Sequence, residues 1–179
     1  MEKKRIKAHF KDDKEIPLIL NSYDDIFSDL DPRDYLKRAL SGDFLLECKK
    51  ASSDKKNKIS IKLFIPKDKR DLEKEKKIKK RLKDHFDKHF NEKKKELKKL
   101  NRVGLSWFVL GCFLIILTSI QDFSKGSFII KVLINISHPA GWFFLWEGMG
   151  KILLTSKEKK SDFIFYKKMI ESNVEFFDY

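Results

Sequence analysis

Glycine is scarce, and where it occurs it cannot serve nucleotide chemistry. The seven glycines are Gly42, Gly104, Gly111, Gly126, Gly141, Gly148 and Gly150, and five of them lie inside apolar stretches. No glycine-rich phosphate loop can be built from them, which excludes a P-loop or a dinucleotide-binding turn. Cysteine is scarcer still. Cys48 lies in a charged region and Cys112 in an apolar run, so an internal disulfide would have to join two different solvents, and none is expected. The first residues, MEKKRIKAHFKDD, lack the apolar core of a secretory signal, so the N-terminus is expected to stay in the cytosol.

Catalytic and metal-binding patterns are also missing. His85 and His89 stand four apart on one helix face, but the intervening FDK lacks the glutamate of a zinc protease and no Cys or third His follows nearby. Asp24, Asp25, Asp29, Asp31 and Asp34 match no calcium loop, and helix capping accounts for them without a metal. No serine or cysteine has an identifiable base partner. Neither an enzyme, a cofactor nor a metal is expected.

Charge is absent from one stretch and concentrated in another. Val103 to Ile120 carries none over 18 residues, although 37% of the chain is charged and the net charge is +13. By segment the net charge is +3 for 1–66, +9 for 67–102, +1 for 103–154 and 0 for 155–179. Eighteen residues rise about 27 Å as a helix, close to the hydrocarbon thickness of a bilayer. Residues 103–120 therefore read as a first transmembrane helix and 121–127 as an external linker. Residues 128–154 read as a second span, interrupted by Lys131, His138, Pro139, Glu147 and Lys151. One long helix kinked near Pro139 is expected for it; an interfacial piece over 128–136 followed by a short span is the alternative. KKKELKKLNR before the first span and SKEKK after the second place both termini in the cytosol of a multi-pass cell-membrane protein.

Gly104, Gly111 and Thr118 fall seven apart on one helix, and Gly141 and Gly148 do so on the next. Small residues let helices approach in lipid, either within the hairpin or as an oligomer seam or pore lining. Glu147 and Lys151 have the spacing of an intrahelical ion pair near the cytosolic end. Trp107, Trp142 and Trp146 read as interface anchors.

Leu72, Ile78, Leu82, Phe86 and Phe90, continued by Leu97 and Leu100, mark one apolar side of a long basic helix over 67–102. Lys93, Lys94, Lys95, Lys98, Lys99 and Arg102 lie close enough to the first span to meet anionic lipid. For the distal Lys76, Lys79, Lys80 and Lys83 three accounts are open: the helix lies along the membrane, they form a solvated face, or they meet an acidic protein partner. The helix holds only two aromatics, both on the apolar side, so nucleic acid is not an expected partner. KISIKLFIP, RIKAHF and NVEFFDY alternate with period two and predict three strands of one sheet. Asp31, Pro32 and Asp34 predict a helix start continued by Leu36, Leu40 and Phe44, and Ser161 a cap for a later helix.

The fold class expected is an α+β membrane protein. A two-helix transmembrane hairpin carries a small cytosolic domain built from 1–66, the basic helix and 155–179. DPRDYLKRALSGDFLLE, GWFFLWEG, FYKKM and NVEFFDY together resemble an uncharacterised family of small prokaryotic membrane proteins with two transmembrane helices. The resemblance implies the two-span layout and carries over no activity and no site residue. The functional expectation is a homo-oligomeric membrane scaffold or sensor whose cytosolic domain binds a partner. A ligand-gated effector or pore and an anionic-lipid tether are the alternatives.

Overall fold

The computed structural model describes residues 15–53, 55, 59–120 and 127–179. The protein is mostly helical, with a small three-stranded parallel sheet and two helices long and apolar enough to cross a membrane. It divides into two compact units, Met1–Asn91 with Ile164–Tyr179, and Glu92–Phe163.

The first unit contains the sheet. Strands β1 (Glu15–Ile19), β2 (Ser60–Ile65) and β3 (Asn173–Asp178) lie in that order and are all parallel. Ile61 stands beside Ile16 on one side and Val174 on the other, and Leu63 beside Leu18 and Phe176. Two right-handed crossovers stepping the same way across a sheet deliver their helices to one face. The burial follows: Ile61, Leu63 and Ile65 are fully enclosed, while Ser60, Lys62 and Phe64 on the opposite face are half-buried. On that second face Lys62 pairs with Glu15 at 2.6 Å, and the Phe64 and Phe177 rings stack with centroids 5.5 Å apart.

The core under the sheet is filled from helices far apart in sequence. Helix α1 (Gly42–Ser53) contributes Phe44 and Cys48, α2 (Leu72–Ile120) contributes Ile78, Leu82 and Phe86, and α4 (Ser156–Ile170) contributes Phe165 and Met169. The four-residue spacing of Ile78, Leu82 and Phe86 brings them onto one face, and complete burial of each is worth about 1.5–3 kcal/mol.

Strand β1 was not legible in the sequence pattern, because Pro17 breaks its alternation. Proline is tolerated there because β1 is an edge strand and needs donors on one side only. RIKAHF, expected as a strand, lies outside the described residues. The helix expected from Asp31 begins instead at Gly42. Asp31 spends its carboxylate on the backbone N–H groups of Arg33 and Ala39 and on the Arg33 guanidinium, and Asp34 accepts from the Leu36 N–H. These bonds hold a looped segment whose Phe27 and Leu40 form an isolated antiparallel bridge.

In the second unit, helix α3 (Phe128–Gly150) continues through Pro139 as one element. A π-helical turn, Lys151–Thr155, then passes directly into α4. The second apolar helix therefore does not stop at 154, and Ser161 is an interior residue of α4, not its cap. Ser156 donates its N–H to the Lys151 carbonyl five residues back, which keeps the backbone bonded through the turn. The basic helix likewise starts at Leu72, after a short 3-10 turn over Lys67–Lys69, and is one element with the first apolar run.

Candidate functional site

In the first unit a recess of about 250 Å³ opens between α2, the end of α4 and the start of β3. It is lined by Lys79, Lys83, Phe86, Met169, Ile170, Ser172, Asn173 and Val174. The lysines stand one turn apart, beside the buried positions 78, 82 and 86, so the same helical period that fixes the core fixes them at its rim. Lys79 Nζ lies 5.7 Å from the centre of the Phe176 ring, a cation–π distance. Among the described residues no carboxylate lines the recess. The recess therefore combines two cations, the polar side chains of Ser172 and of Asn173 at the start of β3, and an apolar floor, a chemistry suited to an anionic group on a partly apolar carrier.

Glu75, one turn before Lys79 on the same helix, is already committed. It is 5% exposed and receives Arg70 in a two-pronged contact, Nε at 2.9 Å and Nη2 at 3.1 Å, with the Tyr23 hydroxyl donating at 3.1 Å. Tyr23 in turn accepts the Asp71 N–H at 2.9 Å, and Arg70 reaches Asp178 at 3.5 Å. This network ties the start of α2 to the loop after β1 and to β3. The Glu75 carboxylate supports the raised pKa of Arg70, and burial raises that of the Tyr23 phenol. A second recess of about 390 Å³ beside it, lined by Tyr23, Asp24, Asp68, Lys69, Arg70, Asp71 and Lys74 among others, carries both signs of charge.

His85 and His89 do meet, with ring centroids 4.3 Å apart. His89 stacks on Tyr166 at 5.4 Å, and His85 meets Phe86 edge-on at 5.6 Å. Among the described residues no group of three or more His, Cys, Asp or Glu side chains converges as a metal site would require. The buried Nε2 of His85 has no hydrogen-bond partner, and burial, with a further push from His89, lowers its pKa to about 4. Burial lifts the Cys48 thiol to about 12, so it is inert at neutral pH. Asp24 pairs with Arg38 and receives the Tyr35 hydroxyl at 3.3 Å, while Asp25 accepts the Asn21 N–H at 2.6 Å.

In the second unit Gly104, Gly111, Gly141 and Gly148 lie between the apolar parts of α2 and α3. A Cβ at Gly111 would stand 2.4 Å from the Leu145 nitrogen and 2.7 Å from the Gly141 oxygen. At Gly148 it would stand 2.5 Å from the Phe108 nitrogen and 2.7 Å from the Gly104 oxygen. Both helices thus touch backbone to backbone where any side chain would intrude. Thr118 is buried at the same interface. Its hydroxyl lies 2.9 Å from the Leu114 carbonyl and 3.1 Å from His138 Nδ1. Glu147 and Lys151 form an ion pair, and Lys151 Nζ lies 4.9 Å from the centre of the Trp107 ring. Trp107 packs on Phe144 at 5.3 Å, whereas Trp142 and Trp146 are exposed.

Of the six basic residues expected at a lipid interface, Lys94, Lys95, Lys98, Lys99 and Arg102 are exposed on α2. Lys93 is drawn into the chain, 3.3 Å from Glu96 and 3.8 Å from Asp162, and Lys159 completes the cluster at 2.8 Å from Glu96. Sequence reasoning missed the lysine recess and the Arg70–Glu75–Tyr23 network, because each needs partners about fifty to one hundred residues away. In comparisons with known proteins, no protein-family model, no curated protein and no solved structure matches the chain.

Proposed function

We propose that the chain is a non-enzymatic integral membrane protein, a homo-oligomeric scaffold or sensor held in the cell membrane by the 103–120 and 128–154 hairpin. Both termini face the cytosol, and the sheet-containing unit recruits an acidic protein partner at the Lys79–Lys83 recess. The layout fits the family of small two-span prokaryotic membrane proteins that its motifs resemble.

The observation that carries the reading is the inverted burial of the two apolar helices. Only 17% of the most apolar window of the first and 6% of that of the second is enclosed. A helix as apolar as these in a soluble protein would be buried in a core. Leu105, Val109, Phe113, Ile116 and Ile120 on one helix, and Phe128, Ile129, Leu133 and Ile136 on the other, point outward instead. Lipid is the solvent in which that arrangement costs nothing. The exposed Lys94, Lys95, Lys98, Lys99 and Arg102 favour an added grip on anionic headgroups, each worth up to about 1 kcal/mol.

Orientation is tested by labelling intact cells with an impermeant thiol reagent. A cysteine at Ser124 is expected to react and one at Ser161 to be spared; the reverse overturns the orientation, and equal reaction overturns the membrane reading. In mild detergent the particle is expected to contain more than one copy. Changing Lys79 and Lys83 together to Gln is expected to leave insertion intact and to weaken binding of a polyglutamate probe several-fold. Unchanged binding removes the recess from the proposal.

A further inference from the structure

The outward faces of the two apolar helices differ in kind. Every large outward side chain of the first between Leu105 and Ile120 is a hydrocarbon. On α3, Lys131, Asn135 and His138 stand four and three residues apart, which puts them within a 60° arc of one face, and all three are exposed. His138 lies ten residues into the helix, about 15 Å from its start and thus near the middle of a 30 Å hydrocarbon layer. Among the described residues its ring has one hydrogen bond, through Nδ1 to Thr118. Whichever tautomer the ring adopts, Nε2 is left needing a partner. Pro139 adds a second demand. Without an N–H it cannot bond the carbonyl of Asn135, so that oxygen loses its helical partner on the same face as the Asn135 amide. Orphaned backbone is tolerated at membrane depth only inside protein or against water.

We infer that this stripe faces the axis of an assembly of identical chains and lines a water-filled path that prefers anions. The inference rests on the membrane and homo-oligomer reading given above. Among the described residues no third helix covers the stripe, and between Leu105 and Ile120 the first helix exposes only hydrocarbons apart from Ser106 and Ser119, whose hydroxyls bond their own helix's carbonyls, so the polar side of α3 is the one turned inward. Water satisfies His138 Nε2, the Asn135 amide and the Asn135 carbonyl together, which a dry seam between hydrocarbon faces would not. Lys131, one turn into α3, is the stripe's formally charged group. Copies around an axis make it a ring of positive charge, the arrangement that admits anions.

The test uses the full-length chain with Cys112→Ser, purified and reconstituted in phosphatidylcholine–phosphatidylglycerol vesicles; Cys48 stays, since its buried thiol does not react. Single cysteines replace Asn135 or His138 on the stripe, and Leu133 or Ile136 at matching depth on the other faces. A charged methanethiosulfonate reagent is expected to modify the two stripe positions at least tenfold faster, because thiols ionise only in water. Vesicles with the unaltered chain are expected to pass chloride in preference to potassium, and Lys131→Glu to reverse that preference. An inserted oligomer whose stripe cysteines react no faster than those at 133 and 136 overturns the inference alone, as does a seam that crosslinks through Asn135→Cys yet stays unreactive. Selectivity unmoved by Lys131→Glu also overturns it. A chain stripped from vesicles by alkali, or a monomer, overturns the underlying reading and the inference with it.

Discussion

One helix obeys opposite burial rules at its two ends. In the first thirty residues of α2, Ile78, Leu82 and Phe86 are sealed and lysines face outward. From Val103 to Ile120 glycine and threonine are sealed and the large hydrocarbons face outward. On the proposed membrane reading, the difference teaches which force acts at each end. Water drives large apolar groups into a core, where each sealed side chain contributes a transfer term. Lipid exerts no such drive, so helix contact is won by backbone proximity, and glycines take the inner positions.

Truncating one large apolar residue at each end sharpens the contrast most. Phe86→Ala leaves a cavity under the sheet and is expected to destabilise the first unit by about 3–5 kcal/mol. Phe113→Ala, on an exposed position, is expected to change stability by less than about 0.5 kcal/mol. Denaturant melts in detergent, followed by hydrogen exchange in each unit, measure both. Equal costs at the two positions would break the comparison.

Enlarging inner residues should reverse the order of sensitivity. Gly111→Val drives a Cβ into the Leu145 and Gly141 backbone, which cannot yield as a side-chain tip can, so the helices must separate. The expected result is loss of the Gly111–Gly141 contact, read as lost crosslinking between cysteines placed at Leu114 and Leu145. Gly150→Ala, with nothing within 4 Å of its Cβ, is expected to be neutral or to gain up to about 1 kcal/mol of helix propensity.

A smaller, pH-dependent effect belongs to the first unit alone. His85 has a pKa near 4 when folded against 6.5 as its ordinary value, so protons bind the unfolded chain more readily. Its contribution is present in full above about pH 6.5 and is lost as pH falls toward 4, by about 1–3 kcal/mol in all. His85→Leu is expected to flatten that acid limb. If the melting temperature of the first unit falls equally between pH 7 and 4.5 in both forms, His85 is not its cause.

How much of this could be read from the sequence follows the same division. The apolar run at 103–120, the glycine stripes and the core period 78–82–86 are local patterns, and each is visible in one window. Strand β1 was hidden because Pro17 interrupts its alternation and is tolerated only through its edge position in the sheet. The loop at 31–39 was misread as helix because an aspartate that caps a helix and one that holds a turn look alike until their N–H partners are known. The continuity of α3 into α4 depends on a π-helical turn that no residue type announces. The lysine recess exists only because Ser172 and the start of β3 return beside Lys79 and Lys83.

The central claim, that the outward hydrocarbons of the second unit lie in lipid, is tested most directly by the protein's own tryptophans. In a Trp107→Phe background the emission comes from Trp142 and Trp146, both exposed on α3. Reconstitution in vesicles with brominated acyl chains is expected to quench most of that emission relative to unbrominated lipid, and aqueous iodide to quench little of it. Strong quenching by iodide with none from bromine would contradict the account.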